Sequence, residues 1–168
     1  MTPYYEEMLH KGQEYQDFVM LKLHVAGIVL QCIQSKKYQL KRENLLGLEI
    51  KFDDRMKDTG NLYIEVAEKS DPANREFIAS GIYREDENWL YGIGDYSQMF
   101  IFSKKRLQKV YEHILNAKSK GVKPAIAGVI RDGIKAGTSK GFTMTIKDAL
   151  TICEKHVMLS TDTTVKAL

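Results

Sequence analysis

Asp53 and Glu65 are the two residues whose types and spacing suggest metal chemistry. They lie in the segment 47–69, GLEIKFDDRMKDTGNLYIEVAEK, which holds two runs of alternating apolar and polar residues around a polar turn. Alternation with a period of two predicts strands with one buried and one polar face. Both carboxylates fall on the polar face, so on neighbouring strands they would lie close enough to bridge one divalent metal ion.

The turn between the two runs favours an antiparallel hairpin. Its residues DRMKDTGN include Asp58, Gly60 and Asn61, which tolerate turn geometry. Asp54 is the obvious competitor of Asp53 as a metal ligand, but strand alternation points it to the opposite face. The plainer interpretation is that the two aspartates start the turn.

Charge is distributed unevenly along the chain. Residues 1–102 hold 12 Lys and Arg against 17 Asp and Glu, a balance of −5, whereas residues 103–168 hold 13 against 5, a balance of +8. An acidic part that carries the candidate metal ligands is thus followed by a basic part. This division suits a protein that holds a phosphate backbone with Lys and Arg while metal ions act on one phosphodiester. The alternative is a solvated basic helix face.

Length and composition are those of one globular domain, with 168 residues of which 43% are hydrophobic and 28% charged. Cys32 and Cys153 lie far apart in apolar, helix-like surroundings, so we expect reduced packing residues and no zinc site. The first residues are too polar for a signal peptide, and no apolar run approaches the ~18 residues that span a membrane. These features predict a cytoplasmic protein with no membrane partner.

The other elements alternate between helices and short strands. Helix-like spacing of apolar residues predicts a long first helix over residues 5–34, with an interruption at Gly27. The runs GIYRED, NWLYGIGDY and QMFIFSKKRL predict short strands. RLQKVYEHILNAK predicts a helix that Gly121 and Pro124 close. TIKDALTICEKHVML predicts a last helix with Thr145 as its cap.

In this order the elements resemble the PD-(D/E)xK nuclease superfamily, which includes many restriction endonucleases, archaeal Holliday junction resolvases and phage nucleases. The resemblance covers roughly residues 11–115 and rests on KGQEYQDFVMLKL, LEIKFD and NLYIEVAEK, with FIFSKKRLQKVYEHIL after them. It implies an α/β fold of restriction endonuclease-like type, with a central mixed β-sheet flanked by helices. We expect a single nuclease-like domain with its core at about 5–118 and a basic extension at 119–168.

The resemblance also implies a set of catalytic and metal-binding residues. Glu14 comes from the first helix, Asp53 from LEIKFD and Glu65 from NLYIEVAEK. Asp53, Glu65 and the carbonyl of Val66 would bind Mg²⁺ or Mn²⁺, and Glu14 would hold a second metal ion or a metal-bound water. Without the resemblance, Glu14 reads as an ordinary solvated helix residue.

One position departs from the family pattern, because Ala67 stands where a lysine is expected two residues after the glutamate. Lys69, farther along the same strand, and Lys51, on the face of Asp53, are the candidates for the catalytic lysine. We favour Lys69, which a β-bulge would help to reach the metal. Glu49 and Lys51 form a Glu-x-Lys string of their own, but it lacks a suitable upstream aspartate. Either lysine could instead form a strand-end ion pair.

The resulting hypothesis is a Mg²⁺-dependent DNA endonuclease from a phage or other mobile element, acting as a homodimer if both strands are cut. The lysine would orient the attacking water or the phosphate. The residues expected to contact the DNA backbone are Lys104, Lys105, Arg106, Lys109, Lys118, Lys120, Lys123, Arg131, Lys135 and Lys140. The alternatives are a Holliday junction resolvase and, because of Ala67, an inactive nuclease fold that binds DNA or a protein.

Overall fold

The computed structural model describes residues 3–33, 35, 38, 41–124, 129–134 and 137–159, without the side chains of 3–5 and 129–134. Its helices are α1 (Pro3–Val25), α2 (Met56–Thr59), α3 (Lys104–Ser119) and α4 (Ile146–Ile152), with a 3₁₀ turn at Gly81–Tyr83. Its strands are β1 (Leu48–Phe52), β2 (Asn61–Glu68), β3 (Ile78–Ala79), β4 (Leu90–Gly94), β5 (Gln98–Ser103), β6 (Val129–Ile134), β7 (Ser139–Thr145) and β8 (Lys155–Met158). None of the described helices is long and apolar enough to cross a membrane.

The described strands form two four-stranded sheets. The first has the order β1-β4-β5-β8, with β1 parallel to β4 and the other pairs antiparallel. The second has the order β3-β2-β7-β6 and is antiparallel throughout. The expected α/β class, with a mixed sheet flanked by helices, is therefore confirmed.

The expected hairpin between the two alternating runs is wrong, although both runs are strands. β1 pairs with β4, whereas β2 pairs with β7 in the other sheet. The connection contains the short helix α2, whose Met56 side chain is fully buried. Because Met56 is buried in the middle of the connection, the chain passes from the first sheet to the second. A tight hairpin would have kept both runs in one sheet.

Each face of the first sheet has its own hydrophobic core. On one face, the α1 residues Tyr15, Val19 and Leu23 pack against Leu48 and Ile50 of β1. The opposite face joins the second sheet, α3 and α4 in a larger cluster that includes apolar side chains of β2, β4, β5 and β7. Residues of β1 therefore face either α1 or the space between the two sheets.

The first helix is shorter than the sequence pattern predicts. It ends at Val25, and Gly27 follows with φ of +81°. The left-handed conformation is one that glycine adopts without steric cost, so it is a common helix terminator. The expected interruption at Gly27 is thus the end of the helix.

The segment expected to extend beyond the core contributes strands to both sheets. β7 pairs with β2, and β8 pairs with β5. Thr145 caps α4 as expected, with its Oγ1 accepting a hydrogen bond from the amide of Asp148 at 3.0 Å. The helix ends at Ile152, however, and the residues that were expected to continue it form β8. Because His156 and Val157 pair with Phe100 and Met99, sheet pairing prevails there over helical spacing.

Candidate functional site

β1 directs a polar side chain into the space between the sheets at every second position. Glu49, Lys51 and Asp53 alternate with residues that face α1. Glu49 lies beside Tyr91 of β4 in the parallel register, and Tyr91 belongs to the larger core cluster. Glu49 therefore lies on an internal face of the molecule.

Glu49 is a buried carboxylate held by two lysines. Its side chain is 0% exposed, with Oε1 2.8 Å from Nζ of Lys51 and Oε2 2.9 Å from Nζ of Lys104. Lys104 also forms an ion pair of 2.9 Å with Asp86. Burial raises the pKa of Glu49, but the adjacent lysine charges outweigh burial and lower its pKa overall. Glu49 is therefore ionised and neutralised inside the fold.

Glu43 is placed at the edge of β1 by its neighbour Asn44. The side chain of Asn44 donates to the carbonyl of Leu48 at 2.7 Å and accepts from the Leu48 amide at 3.1 Å. It thus covers the open edge of β1 as a neighbouring strand would. The amide of Ile50 then donates to Oε2 of Glu43 at 3.3 Å. Burial and the charge of Glu49 raise the pKa of Glu43 against the opposing effect of Lys51.

A second group of charged residues adjoins this one at the end of β2. Arg84 lies 3.6 Å from Oε1 of Glu68 and donates to Oγ of Ser80 at 3.4 Å. Ser80 donates to Oε1 of Glu65 at 2.8 Å. The charges of Glu49, Glu68, Asp86 and Glu65 all raise the pKa of Arg84 against the effect of burial, so both groups form one electrostatic unit. We call this unit the seam cluster; it consists of Glu43, Glu49, Glu65, Glu68, Asp86, Lys51, Arg84 and Lys104.

Asp53 and Glu65 do not lie on neighbouring strands. Oδ1 of Asp53 accepts from the amide of Arg55 at 3.2 Å, and Oδ2 accepts from the amide of Tyr63 at 2.9 Å. Asp53 thereby ties the end of β1 to the start of β2. Glu65 accepts the hydroxyls of Ser80 and Ser139 on its two oxygens, at 2.8 and 2.9 Å.

Tyr91 connects the two carboxylates electrostatically. Its side chain is buried, and its pKa is raised first by burial and then by the charges of Glu49, Glu65 and Asp53. All three carboxylates therefore act on one phenol between the sheets. The shared neighbour is Tyr91, in place of the shared hairpin face that the sequence predicted.

The other expected catalytic residues lie outside the seam cluster. Glu14 is exposed on α1, where Oε1 is 3.4 Å from Nε2 of His10. Nζ of Lys69 donates to the carbonyls of Pro72 and Asn74, both at 2.8 Å. The ladder does shift register between Glu65 and Ala67, as a bulge requires, yet Lys69 holds the following loop. The carbonyl of Val66 accepts the Ser80 amide at 3.2 Å.

The expected DNA-contacting residues occupy different environments. Lys104 is 5% exposed and ion-paired, so it is not available to a phosphate in this structure. Arg106 pairs with Glu154 at 3.3 Å, and Lys140 lies 5.2 Å from the ring centre of Phe77. Exposed positions are held by Lys105, Lys109, Lys118, Lys120 and Lys123. The side chain of Arg131 and all of Lys135 lie outside the described residues.

Sequence reasoning missed most of the seam cluster. The Glu-x-Lys string at Glu49 is the one signal that the sequence offers, and it lacks an upstream aspartate. The upstream carboxylate that the structure brings to this strand is Glu43, on the amide of Ile50. Nothing local to Arg84 or Asp86 indicates that they approach it, because the contacts depend on how β4 and α3 pack against β1.

The carboxylates of the seam cluster match the ligand chemistry of a hard divalent cation. The cluster holds five carboxylates and three cations, a formal balance of −2. Within the described residues, no group of three or more His, Cys, Asp or Glu side chains is arranged to hold a metal ion. Mg²⁺ often uses one or two carboxylates together with water and substrate phosphate, a smaller set of protein ligands than such a group.

No protein-family model matches this chain, and no curated protein or solved structure is significantly similar to it.

Proposed function

We propose that this protein is a Mg²⁺- or Mn²⁺-dependent DNA endonuclease of restriction endonuclease-like type, with the seam cluster as its active site. One observation supports the proposal most directly. Glu49 pairs with the partly exposed Lys51 at 2.8 Å. Glu43 accepts the amide of Ile50, which lies between those two residues in β1, and the charges of both act on its pKa. Acidic metal ligands can hold the ion that activates water in phosphodiester hydrolysis, and a lysine beside them can stabilise the developing charge.

Each of these residues has a distinct role in the proposed reaction. Glu43 and Glu49 would hold the metal ion, which when bound neutralises charge on the phosphoryl oxygens and activates water. Burial lowers the pKa of Lys51, but the charge of Glu49 outweighs this effect and raises the pKa. Lys51 is therefore a permanent cation at neutral pH. It serves as a hydrogen-bond donor to a phosphoryl oxygen and does not act as a base.

The site residues inferred from the sequence are reassigned accordingly. Lys51 replaces Lys69 as the proposed catalytic lysine, because Lys69 Nζ is engaged by two carbonyls of its own loop. Glu65 remains a proposed contributor, since Ser80 connects it to Arg84 within the seam cluster. Asp53 is proposed to fix the position of β1, and Glu14 has no role in the proposed site.

A second candidate function is a nuclease fold that binds DNA without cutting it. It is favoured by the position of Lys104, whose ammonium lies 2.9 Å from both Glu49 and Asp86. A lysine between two carboxylates supplies the positive charge that a metal ion would otherwise supply. A Holliday junction resolvase would use the same chemistry on branched DNA, and two-fold symmetric DNA would match a homodimer.

Cleavage of supercoiled plasmid, a four-way junction and single-stranded DNA tests the proposal. We expect the wild type to cut at least one substrate in Mg²⁺ or Mn²⁺ and none in EDTA. Lys51→Met and Glu43→Gln should each lower the rate by about 10²-fold, the effect of removing one transition-state contact. Glu65→Ala should also lower it.

Exposed residues outside the cluster provide matched controls. Lys57→Met and Glu76→Gln remove the same charges from exposed positions and should cut like the wild type. Equal losses in controls and site variants would refute the seam cluster as the active site. No cutting by the wild type on any substrate, with DNA still bound, would establish the binding-only function.

A further inference from the structure

Arg84 combines a fixed backbone with a loosely held side chain. Its amide donates to the carbonyl of Gly81 at 3.2 Å, and its carbonyl accepts the amide of Asp86 at 3.0 Å. Gly81 has φ of +53°, and a Cβ built there would lie 2.2 Å from the carbonyl oxygen of Glu65. The chain leading to Arg84 is thus pressed against β2 and has little freedom to move.

The guanidinium, by contrast, has only long polar contacts in the part of the chain that the structure describes. They are the 3.4 Å contact with Ser80 and the 3.6 Å contact with Glu68. Charge-assisted hydrogen bonds are normally 2.7–2.9 Å long. The Arg84 side chain is 38% exposed and its partner Glu68 is 43% exposed, so exchanging this ion pair for another anion costs little.

Arg84 differs in this respect from the other cations of the seam cluster. Lys104 is buried with two contacts of 2.9 Å, and Lys51 is held 2.8 Å from Glu49. Arg84 therefore keeps more unused donors than either lysine. Its planar fork of five N–H groups matches two oxygens of one phosphate, which a single ammonium does not.

We propose that Arg84 binds a backbone phosphate of DNA at the exposed side of the seam cluster, releasing Glu68 when it does so. The proposal rests on the proposed function in so far as DNA is the ligand. The phosphate contact positions the strand over Lys51 and does not select a base. Arg84 is thus a phosphate-binding residue distinct from the groups assigned to the hydrolysis itself.

Binding to a short DNA duplex in Ca²⁺, measured by fluorescence anisotropy over a range of salt concentrations, tests this role. Arg84→Gln should weaken binding about tenfold, as expected for a lost charged hydrogen bond. The slope of log affinity against log salt should fall by about 0.9, the value for one phosphate contact. Arg84→Lys should restore the slope and only part of the affinity. Arg55→Gln, at an exposed position, is the control for charge and should retain the wild-type slope.

A double-mutant cycle with Glu68 separates phosphate binding from a structural role. Glu68→Gln should tighten DNA binding in the wild type, because it releases the Arg84 guanidinium from its ion pair. The same substitution should have a smaller effect in Arg84→Gln, which has no guanidinium to release. Circular dichroism and thermal unfolding establish that each variant is folded. A slope and affinity of Arg84→Gln equal to those of Arg55→Gln would overturn the proposal, as would absence of DNA binding by the wild type.

Catalysis is scored separately from binding. If the wild type cuts DNA, Arg84→Gln should raise KM about tenfold, and an unchanged KM would contradict the proposal. If the wild type binds DNA without cutting it, the proposed nuclease activity is wrong. The salt slope of binding still decides whether Arg84 contacts a phosphate.

Discussion

Among individual residues, Glu49 shows how ion pairs stabilise a buried charge and make the stability of the fold depend on pH. A carboxylate with no solvent exposure is costly to bury without compensation. Lys51 and Lys104 compensate it at 2.8 and 2.9 Å, and their charges lower its pKa from 4.5 despite burial. The ionised form of Glu49 is therefore favoured by folding, and protonating it weakens the fold.

Glu49→Gln should destabilise the protein by about 3 kcal/mol at pH 7, since it leaves two lysines without their buried partner. The folded-state pKa is depressed, so the contribution of Glu49 is complete above the unfolded pKa near 4.5 and is lost as pH falls through the lower folded pKa. The deficit of the variant should therefore shrink below pH 4.5. Urea unfolding of both proteins between pH 3 and 7 measures this difference.

The exposed Glu76→Gln variant provides the baseline for that comparison and should stay within about 0.5 kcal/mol of the wild type. The raised pKa of Glu43 acts in the opposite direction on absolute stability, and part of that rise comes from the charge of Glu49. The same comparison in a Glu43→Gln background therefore removes the contribution of Glu43. A deficit that is constant with pH would show that Glu49 does not titrate as the geometry requires.

Residue-level prediction from the sequence succeeded where local periodicity decides the outcome. Glu49 and Lys51 do share one face of β1, Asp53 follows directly after that strand, and Glu65 does lie in a strand next to a bulge. Which charged groups meet was not predictable, because Lys104 reaches Glu49, and Asp86 reaches Lys104, from segments that are distant in the sequence. Alternation predicts the face of the sheet on which a side chain lies, but it does not predict which residue that side chain contacts.

Among the elements, the 3₁₀ turn at Gly81–Tyr83 is critical because it carries the chain from β3 to Arg84 against β2. The hairpin prediction failed at this scale for a related reason. Two alternating runs joined by a polar turn specify strands, yet the buried Met56 and the pairing of Ile64 with Phe142 assign them to separate sheets. Sheet partners are chosen by packing over the whole chain.

Substituting Gly81 by alanine should be more damaging than the same change at Gly121. Both glycines have positive φ, +53° and +65°, so both substitutions carry backbone strain. At Gly81 the new Cβ would also meet the Glu65 carbonyl at 2.2 Å, whereas at Gly121 nothing lies within 4 Å. We expect Gly121→Ala to cost about 1 kcal/mol and Gly81→Ala at least about 1 kcal/mol more.

Chemical denaturation of the two glycine variants gives the comparison directly. Because the φ term is common to both, their difference measures the close approach of the turn to β2. Equal stabilities would mean that the turn can move away from Glu65 without cost, and the fixed backbone invoked for Arg84 would then be incorrect.

The whole molecule divides into an acidic part that carries the seam cluster except Lys104 and a basic part that begins with that lysine, at the start of α3. The sequence predicted this division, but it assigned neighbouring lysines the same role. Lys104 and Lys105 are adjacent in the sequence, yet Lys104 is buried between Glu49 and Asp86 while Lys105 is exposed on α3. The difference arises because Lys104 is the first residue of the helix and faces the polar side of β1.

These two lysines should therefore give opposite results when each is replaced by methionine. Lys104→Met removes one member of a buried ion pair and should lower the free energy of unfolding by about 3 kcal/mol. Lys105→Met should leave stability within about 0.5 kcal/mol and reduce the salt slope of DNA binding by about 0.9, the value for one phosphate contact. Urea unfolding and anisotropy titrations on the same preparations measure both quantities.

A loss of stability in Lys105→Met, or a normal stability in Lys104→Met, would contradict the division between structural and DNA-contacting lysines. An unchanged salt slope for Lys105→Met would instead exclude α3 from the DNA-binding surface and leave Arg84 as the cation to examine first.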